Sequence, residues 1–212
     1  VLPRESGVSA RPMEGARPFT SPESMRVVLD LPHRGPTPGM GVRRGITLIV
    51  GGGYHGKSTL LRALQEGVYD HVAGDGRELV VTDAAAVKLR AEDGRPVRET
   101  DISLFIGELP DGRDTARFTT ADASGSTSQA AAVVEALDAG SRVLLVDEDT
   151  SATNFMVRDA LMEAVVSGGD EPITPFVERV RDLWERAGVS CVIVAGSSGA
   201  FFSVADTVVQ MD

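Results

Sequence analysis

Residues 45–67, GITLIVGGGYHGKSTLLRALQEG, constrain this chain more than any other stretch. An uninterrupted apolar run ending in glycine is the mark of a strand buried on both faces. Gly51 through Ser58 then fit G-x-x-x-x-G-K-[ST] at every fixed position, and Leu60, Leu61 and Leu64 follow at helical spacing with Gly67 as the stop. Strand, glycine turn and helix in that order make a phosphate cradle. The glycines let several N–H groups converge on one anion, and the helix adds the positive end of its dipole. Gly51, Gly52, Gly53, Tyr54, His55, Gly56, Lys57, Ser58 and Thr59 are therefore the candidate nucleotide-binding residues. Lys57 is expected to bridge the outer phosphates and the Ser58 hydroxyl to bind Mg²⁺. Tyr54 and His55 occupy variable positions of the loop, and His55 reads as solvated. The expected ligand is a nucleoside triphosphate, ATP before GTP.

The remainder reads as α/β. RVLLVDED and VSCVIVAG are further buried strands and DTVVQMD a fourth, while SQAAAVVEALDAG, NFMVRDALMEAVV and TPFVERVRDLWERAG carry helical patterning. Apolar strands alternating with helices predict a mostly parallel sheet covered on both faces. Residues 77–122 differ, because RELVVT, AVKLRAEDGRPVRETDISLFI and ARFTT are short β-like runs separated by EDGRP and LPDGRD. They predict a small antiparallel insertion. Residues 1–44 hold 7 of the 11 prolines and 7 Lys+Arg against 4 Asp+Glu, a charge of +3, whereas 45–212 hold 14 against 27, a charge of −13. The expected organisation is a basic, extended arm over 1–44 and a nucleotide-binding domain over 45–212. Within the arm, MRVVLDLP has strand character and is expected to pair with the main body.

A net charge of −10 argues against this chain wrapping nucleic acid by itself. No apolar run has the length of a membrane span, nothing resembles a signal peptide, and the single cysteine, Cys191, forms no internal disulfide. A reducing, cytoplasmic setting fits. The chain opens on Val1 and stops at VVQMD, and reads as part of a longer protein.

A triphosphate site needs a carboxylate for the metal and a group to orient water. VLLVDED supplies both at the tip of a buried strand: Asp147 to hold Mg²⁺ through water, Glu148 to polarise the attacking water.

The residues beyond Glu148 carry a family resemblance. DEDTSATN resembles D-E-P-T-S-A-L-D of the ATP-binding-cassette (ABC) ATPases, where the Walker B carboxylates run into the D-loop. Asp149 stands where that family has Pro, and Thr153-Asn154 where it has Leu-Asp. ASGSTSQ resembles the signature L-S-G-G-Q followed by x-Q. Ser124 and Gly125 match, Ser126 replaces the second Gly, Thr127 the Gln, and Gln129 falls on the later Gln, 18 positions before Asp147. VADTVVQMD resembles the family's A-D-x-apolar strand. Taken whole, the chain is similar to the "ABC-class ATPase" branch of soluble bacterial proteins, which has a relative among kinetoplastid mitochondrial RNA-editing factors.

The resemblance implies a P-loop NTPase fold and a head-to-tail homodimer. ATP would lie between the P-loop (Walker A) of one subunit and Ser124, Gly125 and Ser126 of the other. It also implies further N-terminal and C-terminal chain, through which RNA is a conceivable partner. SGSTS taken alone also reads as a simple cap for the helix after it.

Two family features are absent. Residues 66–128 contain no glutamine for the Q-loop, and Asp101 or Ser103 stands roughly in its place, with service to a metal-bound water and plain solvation both open for Asp101. Gly196, Ser197 and Ser198 follow the last buried strand where the family has its switch histidine. Phe19 and Phe118 are conceivable adenine contacts, with core packing the alternative, and Arg90 and Arg158 are conceivable phosphate contacts, with plain exposure the alternative. Three functions follow for test: a soluble ATPase, an ATP-gated binding module with negligible turnover, and a P-loop small-molecule kinase.

Overall fold

The structure, a computed structural model, describes residues 1–158 and 172–212. Its centre is a five-stranded parallel sheet, of order β4-β7-β8-β3-β9, built from β4 (Ala86–Leu89), β7 (Val143–Asp147), β8 (Ser190–Val194), β3 (Ile46–Gly51) and β9 (Thr207–Met211). Side chains alternate across it. Ile46, Leu48, Leu144, Val146, Cys191 and Ile193 face one layer, which contains α2 (Gly125–Asp138) and α4 (Phe176–Ala187). Ile49, Leu145, Val192 and Val194 face the other, where Leu60 and Leu61 of α1 (Lys57–Glu66) cover them. Burial on both faces is why these strands read as unbroken apolar runs.

Asp206 fixes where β3 begins. Its carboxylate accepts the Ile46 N–H at 2.8 Å and Arg181 Nη1 at 2.8 Å. The Ile46 hydrogen bond is the largest influence and holds its pKa below the usual carboxylate range; burial opposes it, and Arg181 adds to the lowering.

Three expectations need correction. AVKL is not part of an antiparallel insertion: β4 pairs parallel to β7, Ala86 opposite Val143, and forms an edge of the main sheet. The antiparallel element is β5 (Arg95–Thr100) with β6 (Phe118–Ala123) alone. RELVVT forms no strand, because Arg77 turns inward to Glu66 and is 1% exposed. Around that ion pair Arg4 meets Glu66 and Asp75, and His71 Nδ1 meets Asp75 at 2.6 Å. Last, MRVVLDLP does not join the main sheet. As β1 (Arg26–Leu31) it pairs with β2 (Gly35–Met40), whose two prolines left no strand signal in the sequence.

The expected helix after Asn154 is also shorter at its start. α3 (Thr153–Met156) ends in extended backbone at Val157, φ −146°. The expectation for 159–166 lies outside the described residues. Phe155 of α3 packs tilted against Phe105 and stacks with Phe176, ring centroids 5.0 and 5.9 Å away, and so pins the segment after β7 to the core. Phe118 is a core residue too, 2% exposed.

Candidate nucleotide site

The C-terminal tips of β3, β7 and β8 converge, and the candidate residues sit on the turns that leave them. Gly51 closes β3 at φ +147°, where a β-carbon would collide with the Met211 carbonyl at the end of β9. Only glycine fits that turn. Gly56 caps α1 in the left-handed region, φ +83°, so the helix starts immediately at Lys57. Between them Tyr54 is fully exposed, and His55 is tied back, its Nδ1 donating to the Met211 carbonyl at 3.1 Å. His55 is thus a brace for the loop. Lys57 folds over the turn, Nζ donating to the Gly51 and Gly52 carbonyls at 2.8 Å each. A flexible ammonium held only by backbone carbonyls is free to exchange them for phosphate oxygens.

Asp147 ends β7 and is 3% exposed. One carboxylate oxygen accepts the Asp149 N–H at 3.3 Å, and among the described residues no cationic side chain pairs with it. A buried carboxylate without a counter-charge favours a cation. Ser58 and Thr59 line the same cleft, of about 830 Å³, as Asp147. One hydroxyl and one carboxylate, completed by phosphate oxygens and water, are donors that suit Mg²⁺.

Glu148 does not enter that cleft. It turns toward the tip of β8, where Oε2 accepts N–H bonds from Gly196 at 2.6 Å, Ser197 at 3.1 Å and Ser198 at 3.5 Å. The Ser197 hydroxyl donates to Oε1 at 2.7 Å. Burial alone would raise the Glu148 pKa; these bonds, led by the Ser197 amide and hydroxyl, outweigh it and leave the carboxyl below its ordinary value. The three residues standing where the family has its histidine thus grip the carboxylate next to Asp147. The sequence marked the substitution but not this contact.

The Q-loop position also moves. The strand beside β7 is β4, and its tip carries Arg90 and Glu92, both lining the cleft with Ser58 and Asp147. Arg90 is held by Glu92 through Nη2 at 2.8 Å. Asp101 lies elsewhere, closed in a local turn by the Ser103 N–H and hydroxyl at 3.0 and 2.6 Å. These bonds hold its pKa low, the hydroxyl first. Sequence distance alone could not reveal which strand neighbours β7.

Ser124, Gly125 and Ser126 form the N-terminus of α2, and do not line the cleft with Ser58. Ser124 is the N-cap, its Oγ accepting the Thr127 N–H at 3.4 Å. Gly125 lies close to Asp93, Ala91 and Ala152. One turn on, the fully buried Gln129 donates to Ser151 Oγ at 2.9 Å and accepts the Ala152 N–H at 2.9 Å. Ser151 in turn donates to the Asp147 carbonyl at 2.8 Å. Through Gln129 the signature-like segment and the strand end that carries Asp147 share one hydrogen-bonded frame.

A parallel sheet with a glycine loop and helix at one strand tip, and paired carboxylates at the next but one, defines a P-loop nucleotide-binding domain. The family model of the ABC-ATPase P-loop domain matches residues 1–212, and the chain belongs to that family. It is similar to the uncharacterized protein MJ1628 of Methanocaldococcus jannaschii, 31% identical over 192 residues. That match covers 89% of this chain and 42% of the archaeal protein, so the chain spans less than half of its relative's length. No helix among the described residues is long and apolar enough to cross a membrane.

Proposed function

We propose that the chain binds MgATP at residues 51–59 and hydrolyses it slowly in a head-to-tail homodimer. The observation that carries this reading is the buried Asp147, unpaired with any cationic side chain among the described residues, lining one cleft with Ser58 and Thr59 of the first turn of α1, directly after the glycine loop. Lys57 would leave the Gly51 and Gly52 carbonyls for the outer phosphates, and the loop amides with the first turn of α1 would hold the rest. Ser58 and Asp147 would hold Mg²⁺, which would supply charge neutralisation along the phosphates. Glu148 orients the attacking water. The α2 N-terminus, Ser124 to Ser126, would close over the nucleotide bound to the other copy; it lies outside its own subunit's cleft, as that role requires.

The natural test is Glu148→Gln. A glutamine fits the same donors by turning its oxygen to the three amides and its nitrogen to Ser197 Oγ. With Mg²⁺ and ATP the variant is expected to elute as a dimer on size exclusion and to lose turnover. A monomer under those conditions overturns the composite site.

The grip on Glu148 favours a second reading, in which ATP clamps a partner and cleavage is incidental. Under it Glu148→Gln leaves partner binding unchanged. A kinase has no use for the Gln129–Ser151 frame. The body is acidic, which argues against RNA binding by this domain itself, and the proposed setting is cytoplasmic.

A further inference from the structure

We infer that Ser197 is a positioning residue for Glu148, selecting which carboxylate oxygen meets water. The inference rests on the proposed hydrolysis. An ionised carboxylate offers about two acceptor sites on each oxygen. Oε2 receives three backbone N–H groups, at 2.6, 3.1 and 3.5 Å, and is filled. Oε1 receives one donor, the Ser197 hydroxyl at 2.7 Å, and keeps a site open. The amides alone leave the carboxylate free to rock about Oε2. The hydroxyl fixes that rotation, and so fixes where the open site of Oε1 points.

The sheet explains why the two segments meet. β8 lies between β7 and β3, wholly buried, with Asp147 paired to Val194. The next residues of both strands, Glu148 and Ala195–Gly196, therefore emerge side by side. Gly196 gives its N–H with no side chain between it and Oε2: a β-carbon there would still stand 4.0 Å away. Ser197 is exposed, so its hydroxyl is dispensable to the fold.

The test uses Ser197→Ala, Ser197→Thr and Glu148→Ala beside the wild type. Losing one hydrogen bond to a charged group predicts a fall in kcat of about tenfold for Ser197→Ala, with KM and the affinity for MgATP within about twofold. Ser197→Thr, which keeps the hydroxyl, restores kcat to within about threefold. On a Glu148→Gln background, Ser197→Ala adds nothing. A second readout needs no nucleotide: amide hydrogen exchange at residues 196–198 quickens in Glu148→Ala and stays slow in Ser197→Ala. Unchanged kcat in Ser197→Ala, a threonine that fails to restore it, or exchange at 196–198 indifferent to Glu148→Ala overturns the assignment. If the wild type binds MgATP without turnover, the hydrolysis reading itself falls and takes this one with it. Active wild type and inactive Glu148→Gln with undiminished Ser197→Ala sink this inference alone.

Discussion

Replacing Gln129 by leucine tests the frame that joins α2 to the carboxylate strand. Gln129 is fully buried, and its amide makes two bonds of 2.9 Å, to Ser151 Oγ and from the Ala152 N–H. Leucine has nearly the same volume, so no large cavity opens. What is lost is about 1 kcal/mol for the Ser151 bond, plus about 1–3 kcal/mol for an Ala152 N–H left against hydrocarbon. The sum is about 2–4 kcal/mol, which for a chain of this size lowers Tm by roughly 5–15 °C. Ser151→Ala, which removes the bond from Gln129 and the one to the Asp147 carbonyl but leaves that carbonyl the Thr150 hydroxyl, should cost about 1–2 kcal/mol. Because the two residues share a bond, the double variant should cost less than the two singles together. Urea unfolding followed by circular dichroism, with thermal melts alongside, measures all three. A Gln129→Leu protein melting within about 2 °C of wild type would refute the reasoning, as would strict additivity with Ser151→Ala.

Two further outcomes follow from the fold. Asp206→Ala removes an ionised acceptor from the Ile46 N–H and from Arg181, and should cost about 2–3 kcal/mol in urea unfolding while slackening the glycine loop that β3 feeds. His71 faces acceptors at both ring nitrogens, Asp75 at 2.6 Å and the Glu66 carbonyl at 3.0 Å, so the imidazolium suits the site and the Asp75 hydrogen bond raises its pKa. A raised histidine stabilises fully below its unfolded value of about 6.5 and loses that contribution as pH rises through its folded value. For Asp75, burial works toward a higher pKa, but its bonds to Arg77, His71 and Arg4 prevail and lower it, so its contribution fades as pH falls through its folded value. The stability difference between wild type and His71→Asn should therefore be greatest from about pH 4 to 6.5 and shrink above it; unfolding midpoints across pH read it, and a difference that grew from pH 6 to 9 would contradict the clamp.

Local signals were legible wherever one segment decides its own fate. The loop at 51–58 combines a strand, a left-handed glycine and a helix start, each written in adjacent residues, and Gly51, Gly56 and Lys57 take the places their types imply. The parallel strands were equally plain, since burial on both faces leaves an unmixed apolar run. Pairing partners were not. AVKL carries the same short β signal whether it joins β7 or a hairpin, and only β7's open edge decides. RELVVT has strand propensity, yet the buried Arg77 draws it into an ion cluster whose members come from residues 4, 66, 71 and 75. Such long-range polar capture has no local signature. The grip of Gly196, Ser197 and Ser198 on Glu148 was hidden for the same reason: it depends on the register of β7 against β8.

A magnesium-bound triphosphate gripped by the amides of residues 51–58 and by Lys57 is read by isothermal titration of MgATP into the wild-type chain and into Lys57→Ala. Saturable heat is expected for the wild type and at least about a hundredfold weaker binding for Lys57→Ala, the loss of a charge-assisted contact to two phosphates. Absence of heat from either ATP or GTP at millimolar concentration with a folded wild-type chain, or equal affinity for the two proteins, would contradict it.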